Sequence, residues 1–243
     1  MELGIVTESS SEPDVTDSVS DRPLLRRTLL GKKTQSFKVA QNTRADVSLI
    51  DLDGKQVIYK DYTDSSKGFS LLLAPFLVYR ETKALRQLQG VNGIPGLVSK
   101  VDSRSFLMEF VPAQRIRFVY MDLDWAAFIP KTENLVKELH ERGVVHGDLR
   151  NATNILVDND HNPVFVDFVS AVHRGHRYNP FSWALFELCL AIDRGAMYKL
   201  KDKYAPELVS ETERRSHTQR GPFEKIARWF SVRIRNLIQK IFP

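Results

Sequence analysis

The chain has one cysteine, Cys189, in 243 residues. That excludes an internal disulfide, and with no metal-ligand spacing around it, a small buried hydrophobe is its simplest reading. Long apolar runs are also missing: the longest reach about a dozen residues, short of the roughly 20 that a membrane-spanning helix needs. The first 21 residues hold six acidic side chains and no Lys or Arg. Such an acidic, serine-rich start lacks the basic and apolar regions of a secretory signal, and it has too little apolar content to build a core. It is therefore expected to be disordered, and the protein is read as cytosolic.

Without that segment, the remaining 222 residues hold 35 basic against 24 acidic side chains, a net charge of +11. A body of that sign argues against an acidic pocket for a cationic acceptor. Basic charge alone also supplies nonspecific contacts to nucleic-acid phosphates, but no basic-and-aromatic motif of a known module accompanies it, so nucleic acid is not an expected partner. Hydrophobic residues make up 42% of the chain, enough for one two-lobed domain to bury a substantial core.

The most informative stretch is 144–167, VVHGDLRNATNILVDNDHNPVFVD. Its apolar segments 144–145, 155–157 and 164–166 are expected to form short strands of one hairpin, leaving the polar residues to the connections. Asp148, Asn154 and Asp167 are then gathered around a loop. Two carboxylates and an amide there suit phosphoryl transfer, in which one carboxylate orients an attacking hydroxyl and hard oxygen ligands fix Mg2+ on nucleotide phosphates.

On these residues the chain, over roughly 37–191, resembles the protein-kinase-like superfamily. It is most similar to RIO-type kinases and bacterial lipopolysaccharide core sugar kinases, and more distantly to aminoglycoside phosphotransferases. The resemblance implies an α+β, two-lobed fold: an antiparallel-sheet N-lobe with one main helix, and a reduced, mostly helical C-lobe. It implies ATP and Mg2+ as cofactors, Asp148 as catalytic base, Asn154 and Asp167 as metal ligands, and His146 as a brace for the loop. Gly147, where ordinary eukaryotic kinases carry arginine, fits the RIO and small-molecule branches. One departure stands out: six residues separate Asp148 from Asn154 where the family has five, placing an extra residue among 149–153.

Upstream, Lys60 ends an alternating segment after the Asp53-Gly54 turn signal, and Glu81 opens a pattern with Ala84, Leu85 and Leu88 at helical spacing. In the family such a lysine meets the nucleotide phosphates while a helix glutamate holds it in position. Between expected strands 36–40 and 46–52 lies Gln41-Asn42-Thr43-Arg44-Ala45, with no glycine to bring backbone onto phosphates. Side chains of Ser, Thr or Arg are left to do that work. The missing glycines and the six-residue spacing keep a pseudokinase, binding nucleotide or a partner without transfer, as the rival reading.

The strand 105–111, ended by Pro112, resembles the adenine-binding hinge, with backbone groups of Glu109 and Val111 toward the base. The expected organisation is an acidic tail over 1–33, an N-lobe over 34–111, a C-lobe over 112–215 and a basic amphipathic helix over 216–243. C-lobe helices are expected at 131–142 and 181–192. In the last segment Ile226, Phe230, Ile234, Leu237 and Ile241 share a helical face, with Lys225, Arg228, Arg235 and Lys240 off it. That helix suits packing on its own domain or lying at an anionic membrane surface. The apolar run 69–79 is a second candidate contact, otherwise core. A hydroxyl-bearing acceptor is implied, either a protein or a lipopolysaccharide core sugar at the inner face of the cytoplasmic membrane.

Overall fold

A computed structural model describes residues 22–40, 43–175 and 180–218. The elements in chain order are α1 (Arg22–Gly31), β1 (Lys33–Lys38), β2 (Asp46–Leu52), β3 (Lys55–Asp61), α2 (Lys67–Leu72), α3 (Ala74–Gln87), β4 (Leu97–Lys100), β5 (Ser105–Glu109) and β6 (Ala113–Arg115). They continue with α4 (Ile116–Val119), α5 (Trp125–Glu141), β7 (Val144–Val145), β8 (Ile155–Asp158), β9 (Pro163–Phe165), β10 (Val172–His173), α6 (Pro180–Tyr204) and α7 (Glu211–Thr218). The architecture is the α+β, two-lobed, kinase-like one.

The N-lobe is an antiparallel sheet of order β1-β2-β3-β5-β4. Strand alternation sorts its side chains onto two faces. Ile50, Val57, Tyr59 and Leu107 face one way, where Leu29 of α1 completes a small core. Leu49, Ile58, Phe106 and Met108 face the other, into the main core with Val78, Ala84 and Leu85 of α3. Lys60 follows Ile58 by two and so points to this inner side. The helix α1 falls within the expected tail over 1–33, which is thus ordered from Arg22 onward: Leu29 is buried under the sheet and Arg26 Nε donates to Asp61 at 2.7 Å. The polar composition of 1–21 drew attention away from the leucine pairs 24–25 and 29–30 of this helix.

The apolar run 69–79 divides between α2 and α3, with Pro75 in the first turn of α3, where its missing N–H costs nothing. Phe69, Ala74 and Val78 are buried, while Leu71, Leu72, Phe76 and Tyr79 are exposed. The C-lobe helix expected at 131–142 begins earlier, at Trp125, and carries Pro130 inside it. Proline usually marks a helix start; here burial of Phe128 and Ile129 outweighs the lost bond, and Asp124 caps the new end by accepting from Ala127 N. The helix expected at 181–192 runs on to Tyr204.

The hairpin expected over 144–167 is not one hairpin. β7 pairs with β10, whereas β8 pairs with β9 and with β6. The loop between β7 and β8 therefore bridges two separate small sheets. The expected segment 216–243 lies almost wholly outside the described residues. Among the described residues, no helix is long and apolar enough to cross a membrane.

Candidate active site

Lys60 is where the lobes meet. Its ammonium lies 2.9 and 2.8 Å from the two carboxylate oxygens of Glu81 and 2.9 Å from Asp167 Oδ1. Burial on its own would lower the lysine's pKa, but attraction from Asp167 and Glu81 carries it well above the ordinary value. The same ammonium holds Asp167 below the usual carboxylate range, against the opposing effect of burial. Glu81 is pushed upward by burial, an effect that Lys60 partly offsets.

The helix carrying Glu81 is also tied to the segment carrying Asp167. Arg80 Nη2 donates to Ala171 O at 2.6 Å, and Phe168, fully buried, sits beside the His146 ring at 4.6 Å between centroids. Asp167 itself has φ 69° and ψ 66°, the left-handed region that a non-glycine residue occupies only when its surroundings dictate it. Its carboxylate is thereby turned toward Lys60.

Across the cleft, the extra residue after Asp148 is absorbed by a 3-10 turn, Ala152–Asn154, capped by the Asn151 side chain. Asn154 Nδ2 consequently still reaches Asp148, donating at 3.1 Å to both its main-chain oxygen and Oδ2. His146, fully buried, has its pKa lowered by burial ahead of the opposing pull of Asp193. A neutral ring with Nε2–H donating to Val166 O at 3.1 Å leaves Nδ1 to accept from Asp148 N at 3.3 Å. The imidazole thus joins the segment before Asp167 to the backbone of Asp148.

The strongest support for this loop comes from Asp193, a residue that the reading of the sequence did not single out. Its carboxylate accepts from His146 N at 2.8 Å and Gly147 N at 2.9 Å, and lies 3.0 Å from His140 Nε2. A lone acid in the otherwise apolar register of α6 was the available signal. Gly147 has φ +81°, and a Cβ there would lie 2.6 Å from Ser170 O. Side-chain-free backbone is what lets the two segments meet.

A cleft of about 700 Å³ opens over these groups, lined by Lys60, Asp148, Asn151, Thr153 and Asp167 and also by Lys38, Thr43, Arg44 and Arg115. Lys38, Arg44 and Arg115 were not foreseen individually, although the segment without glycine pointed to side chains in the place of backbone donors. Lys38 is exposed along its length, yet desolvation lowers its pKa ahead of the raising effect of Asp167. Glu109, expected at the hinge, donates its N–H to Gly96 O at 2.8 Å, and its carboxylate accepts from Gly96 N at 2.9 Å, so its main-chain N–H is already engaged.

The donor set suits Mg2+. Asp167 offers its second oxygen, and Asn154, buried with its Nδ2 committed to Asp148, keeps an Oδ1 that receives only a long 3.4 Å contact from Thr153. Among the described residues there is no group of three or more His, Cys, Asp or Glu able to hold a metal alone. Two hard ligands short of a full cage are what a Mg2+ shared with nucleotide phosphates requires.

The family model for the RIO domain matches residues 53–182, more than half of the chain. The chain belongs to the RIO domain family. A search of curated proteins gave no match. Among solved structures, the RIO domain here is similar to the Rio2 kinase from Chaetomium thermophilum, with TM-score 0.56 and 18% identity over 86% of this chain and 68% of that one. It is likewise similar to the same kinase as an ADP/Mg2+-phosphoaspartate complex, with TM-score 0.58 and 20% identity over 84% of this chain and 63% of that one. The RIO domain match begins after β2 and ends within α6, so Lys38, Arg44 and Asp193 all lie outside it.

Proposed function

We propose that the protein is an ATP- and Mg2+-dependent kinase that transfers the γ-phosphoryl group to a hydroxyl. The observation carrying this reading is the Lys60–Glu81–Asp167 cluster, whose Lys60 and Asp167 line one cleft with Asp148, the carboxylate that Asn154 holds from beneath. Lys60, positioned by Glu81, meets the nucleotide phosphates together with Lys38 and Arg44. Asn154 and Asp167 hold the metal, which when bound neutralises phosphate charge. Asp148 orients the acceptor hydroxyl and takes its proton, while the Glu109 carbonyl and Val111 N–H receive the base. The Chaetomium kinase bound with ADP and Mg2+ supports the choice of cofactors.

The acceptor is a protein side chain or a lipopolysaccharide core sugar. The exposed Leu71, Leu72, Phe76 and Tyr79 on α2 and α3 support work at the inner membrane face, where a glycolipid acceptor is found.

Transfer from γ-labelled ATP, with and without membrane lipid extract, tests the proposal in the parent, Asp148→Asn and Asp167→Ala. Metal-dependent label in the parent alone supports a kinase, and label extracted with lipid identifies a glycolipid acceptor. Label on the protein that hydroxylamine removes would be an acyl phosphate, as in the phosphoaspartate complex of the Chaetomium kinase. Nucleotide binding with no transfer would overturn the kinase reading in favour of a pseudokinase.

A further inference from the structure

Cations outnumber carboxylates among the residues that line the cleft. Four of its lining residues are cations, Lys38, Arg44, Lys60 and Arg115, against two carboxylates, Asp148 and Asp167. Lys60 is compensated by Glu81 and Asp167. Lys38 and Arg44 border the β1–β2 connection, on the N-lobe side of the cleft, and Asp167 is the leading charge acting on Lys38. Both belong with the phosphates of the nucleotide.

Arg115 differs in origin, although its charge also acts on Lys38. It ends β6, which pairs antiparallel with β8 so that Arg115 stands opposite Leu156. The same strand packs against the 3-10 turn Ala152–Asn154 that follows Asp148. Arg115 therefore comes to the cleft from the C-lobe wall, on the side that holds Asp148, Asn151 and Thr153. It is half-buried, and among the described residues no carboxylate lies within ion-pair distance of its guanidinium. A half-buried guanidinium with no carboxylate in ion-pair range among the described residues, and with Lys38 near enough for the two charges to act on each other, is placed to receive an anion.

We propose that Arg115 binds an anionic group of the acceptor, so that the molecule phosphorylated at its hydroxyl already carries a phosphate or a carboxylate. This rests on the kinase reading of the same cleft. The planar guanidinium pairs with either anion through two parallel N–H donors, fixing the acceptor's orientation as well as its affinity. With the anion held on the C-lobe wall, a hydroxyl elsewhere on the acceptor is presented to Asp148. Specificity of this kind rejects neutral analogues, because they leave the guanidinium desolvated and unpaired.

The test uses the full chain saturated with Mg2+ and a non-hydrolysable ATP analogue, titrated calorimetrically with ribose 5-phosphate, glucuronate, ribose and glucose. The two anionic probes are expected to bind at least about tenfold more tightly than their neutral counterparts. Arg115→Gln is expected to abolish that difference, and Arg115→Lys to keep part of it, with the affinity for the nucleotide analogue within about twofold of the parent in each. Circular dichroism melts establish that both variants are folded. Equal binding of charged and neutral probes by the parent overturns the inference while leaving the kinase reading intact. So does an Arg115→Gln variant that loses nucleotide affinity as severely as probe affinity, since the guanidinium then belongs to the nucleotide. Failure of the parent to bind the nucleotide analogue at all overturns the kinase reading, and the inference with it.

Discussion

Asn154 Nδ2 is 3.1 Å from Asp148 Oδ2 and equally far from the Asp148 main-chain oxygen, even though Asn154 is the sixth residue after Asp148 where the expected spacing is five. The extra residue is taken up in the intervening 3-10 turn, so the loop is longer without being looser. Asp148→Asn is expected to lower turnover by about 10²–10⁴-fold, the usual contribution of general-base catalysis. Nucleotide affinity, measured by titration of the same variant, is expected to be preserved. Equal turnover in variant and parent would remove Asp148 from the mechanism.

Lys60→Met leaves Glu81, 1% exposed, without its cation. Breaking one side of a buried ion pair costs about 3–5 kcal/mol. Denaturant unfolding is expected to register that loss together with failure of phosphoryl transfer. The double change Lys60→Met, Glu81→Leu should recover much of the stability and none of the activity.

Gly147→Ala puts a methyl group against Ser170 O at a positive φ. Both effects are unfavourable, so a loss beyond about 1 kcal/mol is expected by denaturant melt. Because the strain falls next to Asp148, turnover should drop by more than a control alanine at Gly54, whose surroundings are open.

Asp193→Asn keeps one acceptor oxygen but loses the charge that two backbone donors share. A charge-assisted hydrogen bond is worth about 1.5–3 kcal/mol, and a loss in that range is expected on unfolding. If Asp193 acts by positioning the loop, kcat should fall while nucleotide affinity is retained.

Acid sensitivity follows from two histidines whose pKa values burial depresses, His146 and His173, the latter to about 4. The unfolded chain takes up these protons near pH 6.5, while the folded protein resists them. Their contribution to stability is thus complete above about pH 6.5 and declines as the pH falls toward the folded values. The melting temperature should drop steadily between pH 6.5 and about 4, and His173→Gln should reduce the slope across that window. Asp167, with its depressed value, adds a further loss only at still lower pH.

Much of this site was legible in the chain because its key groups lie on strongly patterned segments. Lys60 sits on an alternating strand, Glu81 on a helix with apolar residues at regular spacing, and Asn154 and Asp167 border the apolar segments 155–157 and 164–166. What the pattern hid was tertiary. No local signal tells that β7 pairs with β10 across 26 intervening positions rather than with β8, since strands of two to four residues carry too little pattern to choose a partner. Asp193 is remote from the loop in sequence, and its role exists only once α6 has packed. Pro130 misled in the opposite direction, as a local rule overruled by the burial of Phe128 and Ile129. Arg22–Gly31 was overlooked because what docks it is tertiary: the burial of Leu29 under the sheet and the ion pairs of Arg26 with Asp61 and Asp64.

The anchoring of the loop by Asp193 also sets an order of events as the chain is made. Gly147 leaves the ribosome 46 residues before Asp193. At about 5–20 residues per second, that gap lasts seconds. Throughout it the backbone donors beside Asp148 have no carboxylate to bind, while the strands and helix that carry Lys60 and Glu81 have already been synthesised. A nascent chain can therefore possess Lys60 and Glu81 well before the loop that carries Asp148 is fixed in place, and the completed cluster arrives late, with the middle of α6.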